Sequence, residues 1–333
     1  MAAGVTSAYP VVLLASGLNV PDDLLYSVAD GSVLVGEHGD GHLARIGGAA
    51  GFERLPQVVP EAEGIAQVGD TIYVADQMNA RVVALTDPGI RVVLQLQPVA
   101  SGENLDGIAS DGKQLIVPDS PHGTVLVVDV SGNILRRVPG FLRPAGVSVG
   151  LSGAYLIADE NAAAVYELGP SGGPRVLFRN LPGVDDVVQD NGGHILAILP
   201  AAGRLIDLSA GTDVARGLRQ PQGLGFDGAQ NVLVTESGAG RLDLVVRTYV
   251  IEVPPPGVQL APRQTVCLGV LRGPGATDAP NIQEIVGATI EVLPSGSSAG
   301  EVQPSPCYKT TCTVTITYSS ASGIEFARFT YRS

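Results

Sequence analysis

Tryptophan is absent from this sequence, and its three cysteines, Cys267, Cys307 and Cys312, all lie in the last 70 residues. Lysine occurs only at Lys113 and Lys309, the remaining cations being arginines, and the net charge is −13. A partner that tracks phosphates needs clustered lysine and arginine, so nucleic acid is excluded as a ligand class. No apolar run reaches the roughly 20 residues that span a bilayer. The first ten residues, MAAGVTSAYP, lack the positively charged start of a secretory signal. Neither a Cys-x-x-Cys pair nor a neighbouring histidine accompanies the cysteines, which argues against zinc. Also missing are a Gly-x-Ser-x-Gly elbow, a His-Glu-x-x-His pair and a phosphate loop, so the chain carries no self-sufficient catalytic motif.

What the sequence does contain is a repeat. From Glu63 to Leu85 it reads EGIAQVGDTIYVADQMNARVVAL, three short apolar strands joined by a Gly-Asp turn and a polar turn. Two columns recur through the chain. The residue before the first-strand glycine gives Asp22, Glu63, Asp106, Ala145, Asp185 and Gln222, at gaps of 41, 43, 39, 40 and 37. The residue that ends the second strand gives Glu37, Asp76, Asp119, Asp159, Leu199 and Glu236, at gaps of 39, 43, 40, 40 and 37. A shared period near 40 with several strands per copy predicts an all-β, six-bladed β-propeller over residues 1–252. Residues Tyr9 to Gly17 form a strand without a partner of its own, placed to complete the last blade and close the ring.

The Pro-rich segment 253–257 cannot join a ladder and reads as a linker. Beyond it, residues 258–333 offer strand candidates Thr265–Leu271, Glu284–Leu293, Thr311–Tyr318 and Ile324–Tyr331, enough for a small immunoglobulin-like β-sandwich without the usual Cys-Trp-Cys marker. One disulfide is expected there: Cys307–Cys312 would staple a turn, while Cys267–Cys312 would join distant strands and restrict the unfolded chain more, and the longer link is the one expected. A cysteine-free propeller beside a cysteine-bearing β segment fits export or a cell-surface location.

Both acid columns should lie on one face, because the loop entering the first strand and the loop leaving the second emerge at the same end of an antiparallel pair. Asp22, Glu63, Asp106 and Asp185 are then nearest the axis, with Glu37, Asp76, Asp119, Asp159 and Glu236 outside them. Carboxylates gathered round one funnel must be protonated, paired, hydrated or neutralised by a cation. In the outer column a structural role is expected, pairing Asp76 with Arg81, Glu236 with Arg241 and Glu37 with His42. Blades four and six, with Ala145 and Gln222, should leave the inner ring uncharged. His38, following Glu37 at the channel face, is a candidate general base, as is His122 in the equivalent turn of blade three; either can equally be a plain surface residue.

The residues Asp76, Asn79 and Arg81 match the pattern of NHL-type propellers in full, and Glu236 with Arg241 matches in part. Over roughly residues 10–250 the chain also resembles the six-bladed gluconolactonase and regucalcin family. That resemblance implies a divalent metal at the top of the channel, held by residues that open inner strands of blades one, four and five. The matching positions are Asp22, Ala145 and Asp185, and because Ala145 has no ligand atom, Asp106 of the Asn104-Leu105-Asp106-Gly107 stretch is the substitute. Oxygen donors alone favour Ca²⁺ or Mg²⁺. Two functions follow. One is an exported or cell-surface recognition protein that binds a protein or small-molecule ligand at Asp22, Glu63, Asp106, Asp185, Glu37 and His38 and uses its C-terminal domain for attachment or self-association. The other is a metal-dependent, lactonase-like hydrolase or lyase using Asp22, Asp106 and Asp185.

Overall fold

The computed structural model describes residues 6–7, 9, 11–47, 51–228 and 230–245, together with the backbone of four strands further along the chain. Six antiparallel sheets, five of four strands and one extended to five, follow one another in sequence, and they are the blades of a propeller. Blade 1 contains Pro21–Tyr26, Val33–Glu37, His42–Gly47 and Gly51–Arg54. Blade 2 contains Ala62–Val68, Thr71–Asp76, Arg81–Thr86 and Gly89–Gln95, and blade 3 contains Ala109–Ser110, Gln114–Asp119, Thr124–Asp129 and Ile134–Pro139. Blade 4 runs over Pro144–Val149, Tyr155–Asp159, Ala164–Leu168 and Arg175–Arg179, and blade 5 over Val187–Gln189, Ile195–Leu199, Arg204–Asp207 and Thr212–Arg216. Blade 6 takes its three inner strands, Pro221–Phe226, Val232–Glu236 and Arg241–Val245, from the end of the repeat and its outermost strand, Val11–Ser16, from the N-terminus.

The ring therefore closes as expected, with an addition that periodicity could not show. Thr6–Ser7 continues past Val11–Ser16 onto the neighbouring blade and pairs with the outermost strand of blade 5, Thr6 opposite Arg216 and Ser7 opposite Ala215. Ser7 Oγ also donates to the Val214 carbonyl at 2.8 Å. One N-terminal segment thus covers the edges of two blades.

Apolar second strands explain the stacking. All five residues of Val33–Glu37, Tyr155–Asp159, Ile195–Leu199 and Val232–Glu236 are buried, because the blade faces on either side are both covered. Alternate residues along each strand face opposite neighbours. Val117, Leu115 and Leu126 of blade 3 pack with Ala75, Val82 and Ala84 of blade 2, while Ile116, Val125 and Val127 pack with Ile157 and Val147 of blade 4.

Near the axis the innermost strands come too close for side chains. A Cβ on Gly64 would lie 2.2 Å from the Ile108 amide, one on Gly107 2.9 Å from the Ala145 carbonyl, one on Gly146 2.4 Å from the Asp185 carbonyl and one on Gly223 2.6 Å from the Asp22 carbonyl. Glycine at this step is a packing requirement between blades, not a turn preference.

Beyond the propeller, Thr265–Cys267, Thr289–Glu291, Cys312–Ser320 and Gly323–Tyr331 form a single antiparallel sheet in that order. Each strand overlaps a predicted segment, the third running two residues past its predicted end and the fourth starting one residue early; the second sheet of a sandwich and the linker 253–257 lie outside the described residues. Thr289–Glu291 stands between the strands that carry Cys267 and Cys312, so the expected disulfide does not cross a pair of neighbouring strands, and its side chains also lie outside those described. Among the described residues no helix is long and apolar enough to cross a membrane.

Removing residues 1–18 should open blade 6 and uncover blade 5, giving aggregation or a lower Tm in thermal melting with size-exclusion chromatography, whereas removing only 1–9 should cost less. Gly64→Ala should destabilise by more than about 3 kcal/mol in denaturant unfolding, because the new methyl meets backbone that cannot yield. A truncation to residue 19 that melts like the full chain would contradict the closure.

Candidate functional site

Register places both acid columns at one end of the blades. Pro21 lies opposite Glu37, Ala62 opposite Asp76, Pro144 opposite Asp159 and Pro221 opposite Glu236. In these four blades the pairing then slips between the first residue of the innermost strand and the fourth. Two residues therefore stand against one: Asp22 and Asp23 in blade 1, Glu63 and Gly64 in blade 2, Ala145 and Gly146 in blade 4, Gln222 and Gly223 in blade 6. A β-bulge re-aims a side chain and frees backbone groups from the ladder. Here the freed amides turn to the next blade. Gly146 N donates to the Asp185 carbonyl at 2.7 Å. Gly223 N donates to Thr235 Oγ1, whose own hydroxyl donates to the Asp22 carbonyl.

Blades 1 and 5 carry aspartate where the others carry glycine, and these two carboxylates also tie blades together. Asp23 accepts from the Leu24 amide at 2.7 Å and, across to blade 2, from the Ile65 amide at 2.8 Å. Asp186 accepts from the Val187 amide at 2.7 Å and, across to blade 6, from the Leu224 amide at 2.8 Å. Sequence reasoning passed over both. The signal was there: an acid standing in an otherwise glycine column.

The result is an axial cavity of about 350 Å³ lined by Asp22, Asp23, Asp106, Asp185, Asp186 and Gln222 near the top, with Leu25, Gln67, Ser110 and Val149 toward the bottom. Burial dominates the electrostatics. It pushes Asp22 up to about 7, where the Asp106 charge adds to the rise while hydrogen bonds with Glu63 and Gln222 oppose it. Burial, then the neighbouring Asp22 and Asp106 charges, hold Glu63 well above the usual carboxylate range. Glu63 and Asp22 thus form a hydrogen-bonded pair that titrates as one unit. Asp185 is raised well above its ordinary value by burial and by Asp106, Asp22 and Asp186. Asp23 is likewise raised by burial and by Asp186, and burial pushes Asp186 up to about 7 against its two amide donors. Gln222 Oε1 and Ser148 Oγ are buried in the same cavity wall without a hydrogen-bond partner among the described residues.

The four inner acids meet at one mouth as expected, with two corrections. Glu63 does not line the cavity; it stands behind Asp22, with His38 Nε2 at 3.3 Å from its Oε1. His38 is kept below the ordinary imidazole range by burial, opposed by the charge of Glu61. Blade 4 is not electrically silent either. Two residues before Ala145, Arg143 reaches Asp106 at 3.1 Å, Glu160 at 2.5 Å and Glu103 at 3.7 Å. Asp106 is raised by burial, and this guanidinium is what limits the rise.

The outer column is structural. Asp76 accepts from Arg81 at 2.6 Å and from the Asn79 amide and side chain. Glu236 accepts from Arg241 at 2.6 and 2.9 Å and from the Arg219 amide. Asp159 accepts from the amides of Leu142, Arg143 and Ala162, and Asp119 pairs with His122 at 2.7 Å. Glu37 takes Arg54 as its partner, at 2.5 and 2.8 Å, in place of the expected His42, which sits 3.1 Å from Asp40. The outermost strand brings Arg54 alongside, a pairing that sequence spacing alone did not favour. Fully buried in this ion pair, Glu37 is outside the cavity lining and separate from the ring of acids it was grouped with.

No protein-family model matches the chain, and no curated protein matches it by sequence. Solved structures do match. A gluconolactonase from Xanthomonas campestris superposes with a TM-score of 0.59 at 14% identity, over 72% of this chain and 93% of that one. Regucalcin from Agrobacterium tumefaciens, described as a calcium-binding protein, gives 0.56 at 15% identity over 72% and 94%. Virginiamycin B lyase from Staphylococcus aureus gives 0.54 at 15% identity over 72% and 98%. The likeness is one of fold: this chain is a six-bladed propeller of the architecture those lactonases and lyases use.

Divalent metal bound as the family resemblance implies would need three ligands at Asp22, Ala145 and Asp185, and the second has none to offer. Among the described residues no three His, Cys, Asp or Glu side chains are set at metal-ligand geometry. The donors nonetheless suit a hard cation chemically: carboxylates converge in one cavity, with a carboxamide oxygen, Gln222 Oε1, left without a donor beside them.

The raised acids make stability depend on pH with a definite sign. A carboxyl whose folded pKa lies above its unfolded value of about 4 stabilises the fold at low pH, and that contribution is lost as pH rises through the folded value. In chelator, the Tm should fall between about pH 4 and pH 8, most steeply around pH 5 to 6, where the unfolded chain has lost protons that the folded one still holds, and level off above about 7 as Asp22 and Asp186 ionise in the folded state. Asp186→Asn should flatten the profile. A Tm that rises across this range would contradict the burial of neutral acids.

Proposed function

We propose that the top of the axial channel binds a hard cation, Ca²⁺ or Mg²⁺, through Asp22 and Asp185, with Glu63 behind Asp22, and with it a small oxygen-rich ligand, and that the chain is a hydrolase or lyase acting on a small ester or lactone. The observation that carries this reading is the gathering of five carboxylates, Asp22, Asp23, Asp106, Asp185 and Asp186, on the wall of one cavity, with Glu63 behind Asp22 and the Arg143 guanidinium at Asp106. Such an arrangement is costly without a counter-charge, and a cation that displaces the shared protons relieves it. When bound, the ion supplies Lewis-acid polarisation of a carbonyl oxygen.

The protein's own groups do the rest. Asp22 faces the cavity with Glu63 behind it, so the pair would release its protons as the ion binds and keep Asp22 ionised as a ligand. His38, half-buried at the rim and in contact with Glu63, connects that pair to solvent. Gln222 fixes Asp22 through its amide and leaves its carbonyl oxygen for a donor on the ligand or its water. The narrow cavity, walled by backbone that approaches within contact distance, admits only small molecules.

A second reading, binding of a protein or amphiphilic partner at the top face, is favoured by exposed apolar side chains there: Val20 at 43%, Met78 at 53% and Leu142 at 65%. It uses the same mouth, with the C-terminal domain serving attachment or self-association.

Calorimetric titration of the full chain with CaCl2 and MgCl2 at pH 8 tests the first reading. Binding weakened about tenfold or more by Asp22→Asn and by Asp185→Asn, a change of about 1.4 kcal/mol, is expected. Absence of binding by the parent, or binding unchanged from the parent in both variants, would leave the acids as protonated scaffold. Hydrolysis of a panel of small lactones, measured with and without chelator, then separates enzyme from binder.

A further inference from the structure

We propose that Asp243 is a latch at the seam between blades 5 and 6: with its proton in place the two blades close on each other under the N-terminal segment, and without it that segment comes loose. The latch is independent of the cation reading, since Asp243 lies outside the cavity lining.

Third strands run through every blade, and their third residue is Ala44, Val83, Leu126, Tyr166 and Ile206 in blades 1 to 5 but Asp243 in blade 6. In blades 2 to 5 this position packs against the preceding blade, as Val83 does with Leu43 of blade 1 and Ile206 with Leu156 of blade 4. By the same register Asp243 stands against blade 5, an acid in an apolar column, and its side chain is 2% exposed. Its pairing is incomplete. Arg241 Nε lies 2.9 Å from Asp243 Oδ2 but donates to Glu236 Oε1, as does Arg241 Nη2, and Asp243 Oδ2 has no hydrogen-bond partner among the described residues. One guanidinium thus serves two buried acids. The charges on the strands of blade 5 are engaged with one another, Arg204 and Arg216 with Asp213 and Asp207 with His194, while Val11–Ser16 carries none and Arg219 gives Glu236 its amide.

Two ionised carboxyls sharing one guanidinium out of water would leave a buried negative charge uncompensated. The fold avoids this by keeping Asp243 neutral: burial pushes it up to about 8, a hydrogen bond with Glu236 adding to the rise and the Arg241 charge opposing it. An opening that lets water reach Asp243 returns it toward the ordinary value of about 4. Such an opening is therefore favoured as pH rises from about 4, by about tenfold per pH unit at most, and the effect levels off above about 8. What holds this seam at its outer end is the N-terminal segment. Val11–Ser16 lies on the edge of Arg241–Val245 in blade 6, and Thr6–Ser7 on the edge of Thr212–Arg216 in blade 5, so the segment crosses the seam that buries the acid. At the axis the same two blades are tied by the Leu224 amide donating to Asp186. The outer end is the one that yields.

Hydrogen exchange read by mass spectrometry on the full chain at pH 6, 7 and 8, corrected for the intrinsic exchange rate, tests this. In the parent, protection of peptides covering residues 6–16 and 241–245 should fall about tenfold or more from pH 6 to pH 8 relative to peptides of blades 2 and 3. Asp243→Asn should abolish that relative fall. Asp243→Val, which installs the residue that blade 2 carries at Val83, should do the same and serves if Asp243→Asn does not fold. Asp186→Asn removes the other raised acid at this seam and should leave the relative fall in place. Equal pH dependence in all blades of the parent, a relative fall that persists in the Asp243 variants, or one that Asp186→Asn abolishes would overturn the proposal. Should no variant fold, the parent profile decides alone: a fall confined to these two segments supports the latch and a uniform one removes it.

Discussion

Crowding at the axis governs this molecule. Six innermost strands converge on one line, and in four blades a bulge adds a residue where space is least. The contact distances that a Cβ would meet at Gly64, Gly107, Gly146 and Gly223 show that neighbouring backbones touch. Once backbones touch, their amides and carbonyls must satisfy one another across blades or be satisfied by side chains, because water cannot reach them. Asp23 and Asp186 are the side-chain solution in blades 1 and 5, and Thr235 is that of blade 6. The bulges that relieve the crowding are the same ones that aim Asp22, Glu63 and Gln222 at the channel. Fold and site have one cause.

Acidity at such a place has a second consequence. Carboxylates accepting amide hydrogen bonds favour the charged form, whereas burial and mutual repulsion favour the neutral one, and in this cavity the second pair of effects wins. A few charges are settled locally: Asp106 by Arg143, and the outer acids Glu37, Asp76 and Glu236 by arginines from their own blades. The remainder hold protons in reserve. Outer acids therefore stiffen each blade, while inner acids keep an exchangeable charge.

Periodicity made most of this fold legible. The two columns, one at Asp22 and one at Glu37, fixed the number of blades and the face on which both columns emerge, since a strand period of two and a repeat near 40 leave little freedom. The strand at Tyr9 to Gly17 could be assigned to blade 6 because it had no other partner, yet Thr6–Ser7 is too short to carry a pattern and its place on blade 5 was not readable. Asp76 with Arg81 was visible because the partners are five residues apart; Glu37 with Arg54 was not, since the third and outermost strands intervene. Arg143 escaped notice because the column was read at Ala145, and a long side chain two residues upstream can reach what its neighbour cannot. Bulges leave no mark in composition, so the place of Asp23 and Asp186 in the cavity was not readable.

The channel's two ends differ in kind. One is lined by acids, the other by Leu25, Gln67, Ser110 and Val149, without a charged group among those four. Between them the potential falls in one direction over the length of an inner strand, a built-in slope with no counterpart in a symmetric ring. A positively charged solute would be drawn to the acidic end, and none of those four residues would draw it on to the other. The propeller is in this sense a cup, although its strands enclose a tube.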